Sequence, residues 1–308
     1  MDSVKVFAPA TVANVSCGFD VLGFCLDQVG DEIRIKKTEQ PGVRITKIVG
    51  QQLPLATKEN VAGVAAEALL KKHPTDFGFE IEIYKGIKAG SGIGSSAASS
   101  AGTVFGINAL LGEPFSRNQL IEFAMKGEEL ASGTAHADNV SPALLGGFTL
   151  VRCGQQPDVI SLPCPTELYA TIIHPKIELR TADARSVLKQ KIPLEKGIQQ
   201  WGNLAALVSS LYTNDYDLMS RSLVDVVIEP ERSVLIPHFK EMKTAAIAAG
   251  ALGSGISGSG PSIFNLSKGP ETADKVRQAL INTFSPLDIE FDTFVSPINK
   301  NGVQLITP

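Results

Sequence analysis

One stretch of the chain restricts its possible folds more than any other, the run of small residues between Lys85 and Gly102. Glycine occupies every second position at Gly90, Gly92 and Gly94, and two serines begin the small-residue segment that follows. The alternating segment "FEIEIY" before the run predicts a strand, and the segment after it predicts a helix. Such a loop at a helix start presents free backbone N–H groups and the positive end of the helix dipole. The sequence therefore predicts an anion site, with phosphate as the expected anion.

The common nucleotide-binding patterns fit this loop poorly. A Walker loop needs a lysine directly after its second glycine, and no lysine follows Gly90 at that position. The dinucleotide pattern G-x-G-x-x-A matches from Gly92 to Ala97, but the preceding strand alternates charged and apolar residues, whereas a dinucleotide-binding strand is buried on both faces. A flexible turn followed by a closely packed helix remains an alternative interpretation of the glycines alone.

The remaining pattern predicts a two-domain α+β protein. A length of 308 residues suits about two domains of roughly 150 residues each. Strands and helices alternate irregularly, and many strands look half-exposed, which favours α+β sheets over a doubly wound parallel sheet. Prolines at positions 157, 163 and 165 predict a boundary near residue 160, which gives domains of residues 1–160 and 161–308.

Local patterns also predict individual elements. "VKVFAP" predicts a first strand that ends at Pro9, and "DEIRIKKT" and "VRITKIV" predict half-buried antiparallel strands. The segment "TKENVAGVAAEALLKKH" predicts a helix with Thr57 as its N-cap.

Charge and composition exclude several function classes. The net charge is −4 and no basic run is present, which argues against a nucleic-acid surface. No stretch reaches the roughly 18 apolar residues of a membrane helix, and the first residues lack a signal-peptide pattern, so we expect a cytoplasmic protein with a small-molecule partner. Four cysteines show no metal-ligand spacing with the four histidines and are predicted to be free thiols: Cys17, Cys25, Cys153 and Cys164.

Several stretches resemble one enzyme family. "KAGSGIGSSAA", from Lys88 to Ala98, is similar to the central GHMP kinase motif P-x-x-x-G-L-G-S-S-A-A, with Lys88 in place of the proline and Ile93 in place of the leucine. "APATVANVSCGFDVLGF" and "GSGISGSGPSIF" resemble the first and third motifs of that family. "EELASGTAHADNVSPALLGGF", "TADAR" and "EPER" resemble its homoserine kinase subfamily. The resemblance implies a ribosomal-protein-S5-like N-terminal domain that binds the nucleotide and a ferredoxin-like C-terminal domain that completes the substrate site.

The resemblance also implies an activity and a nucleotide site. It implies ATP-dependent phosphorylation of the L-homoserine hydroxyl in threonine biosynthesis, with Mg²⁺ as cofactor, by a homodimer. Ser95 and Glu128 are the implied magnesium ligands and count, with Asn14, as the catalytic residues; Glu129 is the neighbouring alternative to Glu128. The implied nucleotide contacts are Asn60, Lys88, Ala89, Gly90, Ser91, Gly92, Ile93, Gly94, Ser95, Ser96, Ala97 and Ala98.

The implied substrate site combines opposite charges. Arg185 and Arg232 are expected to bind the substrate carboxylate, a role that suits a planar bidentate donor. The full set of implied substrate contacts is Asn14, Asp20, His136, Asp138, Thr181, Arg185, Arg232 and Gly258. Thr181, Asp20 and the phosphate itself remain open as proton acceptors. Alternative functions are a mevalonate or sugar kinase of the same family, a metabolite sensor without catalysis, and a nicotinamide-dependent enzyme.

Overall fold

The protein contains two β-sheets with helices packed around them. The computed structural model describes residues 1–152 and 158–306, apart from the side chain at position 132. The strands in this part are β1 Ser3–Ala13, β2 Leu22–Thr38, β3 Gly42–Val49, β4 Gly78–Tyr84, β5 Phe148–Arg152, β6 Asp158–Leu162, β7 Leu168–Pro175, β8 Gly253–Ile256, β9 Ile263–Lys268, β10 Phe291–Pro297 and β11 Gln304–Leu305. The helices are α1 Val61–Lys72, α2 Ser95–Leu110, α3 Arg117–Ser132, α4 Val140–Leu145, α5 Thr181–Ser186, α6 Leu194–Thr213, α7 Tyr216–Ser222, α8 Glu229–Arg232, α9 Phe239–Ala248 and α10 Pro270–Phe284.

The first sheet carries helix α2 across its buried face. Its strand order is β11-β1-β2-β4-β3, and β5 pairs with both β2 and β6. Alternate residues of the strands, such as Ile33 and Ile81, are fully buried as the period of a half-buried strand requires. Small residues let α2 approach the sheet closely, since a Cβ at Gly102 would lie 2.6 Å from Ile33 Cδ1 and 2.7 Å from Ala8 Cβ. These close contacts fix the position of α2 on the sheet.

The second sheet packs on the first and joins its core. Its order is β10-β7-β9-β8, and all three pairings are antiparallel. One face carries residues such as Ile263 that pack with Val276 and Phe284 of α10. On the other face, Phe264 meets Phe24 of β2 edge to face, with ring centroids 5.9 Å apart. The predicted two-domain α+β fold is confirmed.

Three local predictions are wrong. The first strand does not end at Pro9 but continues to Ala13. Pro9 lies at a register shift between β1 and β2, where the ladder does not require an N–H donor. Strand β3 runs parallel to β4 rather than antiparallel. Asn60, not Thr57, caps α1 by accepting a hydrogen bond from Ala62 N at 3.0 Å, since Thr57 itself belongs to a preceding 3₁₀ turn.

The end of the chain returns to the first sheet. Strand β11 pairs with β1 through Val6 opposite Leu305, and β6 crosses residue 160. The division into residues 1–160 and 161–308 stays a prediction. No helix among the described residues is long and apolar enough to cross a membrane. Cys17, Cys25 and Cys164 are free thiols, and Cys153 lies outside the described residues.

Candidate active site

A cavity of about 860 Å³ lies between the two sheets. Both glycine-rich loops, the start of α2 and residues of α3 and α5 contribute to its wall. The sequence-predicted site residues that line it are Asn14, Asp20, Lys88, Ala89, Gly90, Gly92, Gly94, Ser95, Ser96, Glu128, His136, Asp138, Thr181, Arg185, Arg232 and Gly258. A cavity of this size and polarity is a default ligand site.

The N-terminus of helix α2 faces this cavity without a side-chain cap. Gly94 is the N-cap residue, its φ is +70°, and no side chain caps the helix. The first N–H groups of a helix have no intrahelical partner, so here they remain for a ligand. Ser95 donates its hydroxyl hydrogen to Ile87 O at 3.0 Å, which directs the oxygen lone pairs away from Ile87. The arrangement suits an anion such as phosphate at a helix N-terminus.

Two serine hydroxyls of the second glycine-rich loop fix the peptide planes of the first. Ser262 Oγ donates to Ser91 O at 2.6 Å, and Ser257 Oγ donates to Gly92 O at 2.7 Å. In a trans peptide the N–H points opposite to the C=O. The N–H groups of Gly92 and Ile93 therefore point away from these serines. These two hydrogen bonds connect the first glycine-rich loop to the second sheet.

A buried ion pair lies behind the first glycine-rich loop. The Lys85 ammonium and the Asp31 carboxylate are 2% and 0% exposed. Asp31 Oδ1 accepts from Gly86 N at 3.0 Å and from Ile87 N at 3.1 Å. Lys85 Nζ donates to Ser95 O at 3.1 Å, so the pair joins the end of β4 to the start of α2. Sequence reasoning missed it because Asp31 begins one alternating segment and Lys85 follows another, where a charge looks solvent-exposed.

The carboxyl groups of Glu128 and Asp138 lie on the cavity wall and are buried. Burial is the main cause that raises the pKa of each to about 7; a hydrogen bond with the Ser96 side chain opposes the rise at Glu128. Glu129 has a side chain that is 51% exposed and pairs with Lys126 at 2.9 Å. Of the two adjacent glutamates, only Glu128 lines the cavity.

The donor set fits a magnesium ion that is shared with a nucleotide. Ser95 offers a hydroxyl oxygen and Glu128 a carboxylate oxygen on one cavity wall, and magnesium prefers oxygen ligands of this kind. Within the described residues, no group of three or more histidine, cysteine, aspartate or glutamate side chains could hold a metal. Magnesium commonly takes one or two carboxylates and completes its shell with phosphates and waters, so a sparse set is sufficient.

Asp20, Arg185 and His136 form one hydrogen-bonded cluster on the cavity wall. Arg185 donates to both oxygens of Asp20, at 2.8 Å and 3.3 Å. Its Nη2 also lies 2.8 Å from His136 Nε2. Arginine only donates hydrogen bonds, so His136 Nε2 is the acceptor and the ring proton is on Nδ1. The pKa of His136 is lowered, first by burial, which agrees with a neutral ring.

Gly258 O connects Asn14 to the second arginine. Asn14 Nδ2 donates to it at 2.6 Å, and Arg232 Nη1 donates to it at 3.2 Å. Arg232 Nε donates to Ala184 O at 2.8 Å. Burial is the main cause that lowers the pKa of Arg232 to about 10, and the charge of Arg185 adds to it. Arg232 thus has a fixed position and keeps its charge at neutral pH.

Several predicted nucleotide contacts lie off the cavity wall. These are Asn60, Ser91, Ile93, Ala97 and Ala98. Asn60 is committed to its own turn, since it caps α1 and its Nδ2 donates to Pro54 O at 2.8 Å. Their contacts with a nucleotide stay predictions.

Lys88, which replaces the family proline, lines the cavity beside His174 and Lys176. His174 Nδ1 lies 3.1 Å from Ser262 Oγ, whose own hydrogen goes to Ser91 O, so Nδ1 carries the ring proton. The pKa of His174 is lowered by burial and by the Lys88 charge. Sequence reasoning did not identify His174; its position in the apolar strand "LYATIIH" gives no sign of the cavity.

Comparisons with known proteins agree with this geometry. The model of the GHMP kinases N terminal domain matches residues 60–147, and that of the GHMP kinases C terminal domain matches residues 205–286. The chain is 45% identical to a homoserine kinase of Chlorobium phaeobacteroides (strain BS1), over 99% of this chain and all of the relative. It is 40% identical to a homoserine kinase of Xylella fastidiosa (strain M12), over 98% of this chain and 94% of the relative.

Solved structures give the same result. The crystal structure of homoserine kinase from Cytophaga hutchinsonii is 50% identical and covers 99% of this chain and 98% of its own, with a TM-score of 0.96. L. major mevalonate kinase, at 16% identity and a TM-score of 0.73, over 96% of each chain, shares the fold alone. The glycine loop, the uncapped helix start and the full-length similarity agree, and the chain belongs to the GHMP kinase family.

Proposed function

We propose that the protein is a homoserine kinase, which transfers the terminal phosphoryl group of ATP to the hydroxyl of L-homoserine and yields O-phospho-L-homoserine and ADP. The reaction belongs to threonine biosynthesis. The observation that carries the proposal is that one cavity is lined by two kinds of group, which we name its phosphate end and its amino-acid end. The uncapped start of α2 and Glu128 form the first end, and Asp20, Arg185 and Arg232 form the second. The 40–45% identity to homoserine kinases supports it.

At the phosphate end, the loop N–H groups bind the β- and γ-phosphates of the nucleotide. The N–H groups of Gly92 and Ile93 are directed by the two serine contacts, so they are oriented before the nucleotide arrives. Ser95 and Glu128 would hold Mg²⁺, which neutralises phosphate charge when it is bound. Preorganised donors of this kind stabilise the charge that develops during phosphoryl transfer.

At the amino-acid end, the protein exchanges its own ion pair for the charges of the substrate. Asp20 and Arg185 pair with each other in the free protein. The substrate carboxylate takes the place of Asp20 beside Arg185 and Arg232, and the substrate ammonium takes the place of Arg185 beside Asp20. Because both charges find a new partner, neither protein group is left buried and unpaired.

Asn14 orients the substrate hydroxyl toward the phosphate end. It has a φ of +73°, and its side chain bridges Asp20 N at 3.0 Å and Gly258 O at 2.6 Å, so its position is fixed by contacts on both sides. We assign no general base: Thr181, Asp20 and the phosphate itself remain open as acceptors of the hydroxyl proton. Phosphoryl transfer depends chiefly on positioning and charge stabilisation.

A coupled ADP-release assay tests the proposal on L-homoserine, mevalonate, shikimate and galactose. We expect kcat/KM for L-homoserine to exceed the others by roughly 10³-fold or more, because buried charges reject substrates that leave them unpaired. A preference for mevalonate or galactose would assign the chain to another kinase of the family. Nucleotide binding without turnover on any substrate would indicate a sensor, and binding of a nicotinamide nucleotide in place of ATP would overturn the kinase assignment.

Two further properties belong to the same proposal. We propose a homodimer in the cytoplasm. Apolar side chains on α6 support an interface, since Leu194, Ile198 and Trp201 are 69%, 58% and 59% exposed at helical spacing. Light scattering of the purified protein measures the oligomeric state, and a monomer mass at micromolar concentration would refute the dimer.

A further inference from the structure

The ring of Phe19 lies close to both cavity arginines, and neither sequence pattern nor hydrogen bonding draws attention to it. Its ring centroid is 5.6 Å from Arg185 Cζ and 4.9 Å from Arg232 Cζ. A guanidinium within about 6 Å of an aromatic ring is attracted to the ring quadrupole. The two guanidinium groups repel one another: burial is the main cause that lowers the pKa of Arg232, and the charge of Arg185 adds to it. One ring therefore attracts two like charges that repel each other.

The backbone on both sides of this ring is held in place. Asp20 N donates to Asn14 Oδ1 at 3.0 Å. Leu22 N donates to Gly18 O at 2.9 Å, which closes the turn that carries Phe19. The ring is half-buried and has little freedom to leave the arginines. It is a fixed part of the substrate pocket.

In the proposed reaction, substrate binding changes the contacts of Arg185. In the free protein its donors go to Asp20 and His136, and its buried Nε has no hydrogen-bond partner among the described residues. A substrate carboxylate that displaces Asp20 removes the ion pair that orients the guanidinium. The hydrogen bond to His136 and the ring of Phe19 are then the contacts of Arg185 that remain before and after the exchange.

We propose that Phe19 is a positioning residue, which holds Arg185 and Arg232 at the spacing that binds the substrate carboxylate. The inference rests on the proposed function for the identity of that carboxylate. The inference goes beyond the proposed function because it states that an aromatic ring, which makes no hydrogen bond to a ligand, sets the spacing of the two arginines. A plain space-filling role is the alternative, and a leucine of similar volume would satisfy that role.

The experiment compares Phe19→Leu with Phe19→Tyr. Leucine keeps apolar volume but has no ring, and two lost cation–π contacts correspond to a rise in KM for L-homoserine of about 5- to 30-fold. Phe19→Tyr keeps the ring face and should stay within about 3-fold of wild type. KM for ATP should stay within about 2-fold in both variants. Melting temperatures of both variants are measured first. Incorporation of a pentafluorinated phenylalanine, which reverses the ring quadrupole at nearly constant shape, should raise KM for L-homoserine at least as much as Phe19→Leu does.

A substrate without the carboxylate separates positioning from packing. Phe19→Leu should lower kcat/KM for L-homoserine by a clearly larger factor than kcat/KM for 3-aminopropan-1-ol, which keeps the amine and hydroxyl of homoserine. An unchanged KM for L-homoserine in Phe19→Leu overturns the inference. So do equal effects in the leucine and tyrosine variants, or an equal loss on 3-aminopropan-1-ol. A wild-type enzyme inactive on L-homoserine instead refutes the proposed function, and the same variants are then measured on the carboxylate substrate that the wild type accepts.

Discussion

Replacement of Gly94 by alanine tests how tightly the start of α2 is built into the first sheet. The residue has a φ of +70°, and a Cβ there would lie 2.0 Å from Thr11 Oγ1 and 3.0 Å from Asn139 Oδ1. Gly90 offers a matched control in the same loop, because its φ is +77° and an added Cβ would meet no atom within 4 Å. The two variants share the backbone strain and differ only in the overlap.

The magnitudes follow from these distances. A left-handed conformation costs an alanine about 1–2 kcal/mol, which is the whole effect expected for Gly90→Ala. In Gly94→Ala the Thr11 hydroxyl must also move, so its hydrogen bond to Asn139, 2.8 Å long, is lost at about 1 kcal/mol. Overpacking adds about 1–3 kcal/mol. The free energy of unfolding should therefore fall by about 3–6 kcal/mol.

Calorimetry without nucleotide measures the difference. At about 2 °C per kcal/mol for a chain of this length, Gly94→Ala should lower Tm by about 6–12 °C and Gly90→Ala by about 2–4 °C. In a Thr11→Ala background the Oγ1 overlap disappears, so the further effect of Gly94→Ala should fall toward the Gly90→Ala value. Equal Tm losses for Gly90→Ala and Gly94→Ala would refute the overlap argument.

Three further predictions concern buried charges and thiols. Glu128→Gln should lower kcat by roughly 100-fold or more while Glu129→Gln keeps it, measured by ADP release; equal losses would contradict the assignment of Glu128 to the metal. Asp31→Asn or Lys85→Met alone should each lower the free energy of unfolding by about 3–5 kcal/mol, because a buried charge loses its partner. The double variant should lower the free energy of unfolding by less than either single variant. Unfolding in urea measures these values, and additive losses would contradict the pairing. The Cys17 thiol, whose pKa burial raises to about 12, should resist alkylation at pH 8 in the native protein, and rapid labelling seen by mass spectrometry would contradict its burial.

Local pattern was sufficient to predict much of this fold. The α+β class and the loop that ends where α2 begins at Ser95 follow from periodicity and from the run of small residues, and both are confirmed. Where the rules failed, a tertiary contact outweighed them. Pro9 was expected to end a strand, but the register shift beside it removes the need for its N–H. Thr57 was expected to cap a helix, but its hydroxyl donates to Val43 O on the neighbouring strand at 3.1 Å.

The candidate site was predictable only in part, and for a physical reason. The resemblance assigned the glycine loop to the nucleotide and the two arginines to the substrate, because each motif is local, and the structure has both lining one cavity. Asp31 and Lys85 are 54 positions apart and face each other only after β2 and β4 pair. Phe19 lies close to two arginines that come from α5 and α8, and nothing in the sequence around it indicates these contacts.

The return of the chain end to the first sheet affects the order in which the protein can be completed during synthesis. Strand β1 is made first, but the strand that covers its outer edge, β11, is made last. Arg117 of α3 also lacks two of its hydrogen-bond acceptors until these residues are made, since it donates to Asn301 O at 2.6 Å and to Val303 O at 3.1 Å. An uncovered edge strand is a site for unwanted pairing with another chain. On the ribosome, the first sheet therefore stays open along β1 until the second sheet has been synthesised, and removal of residues 298–305 should expose the same edge in the finished protein.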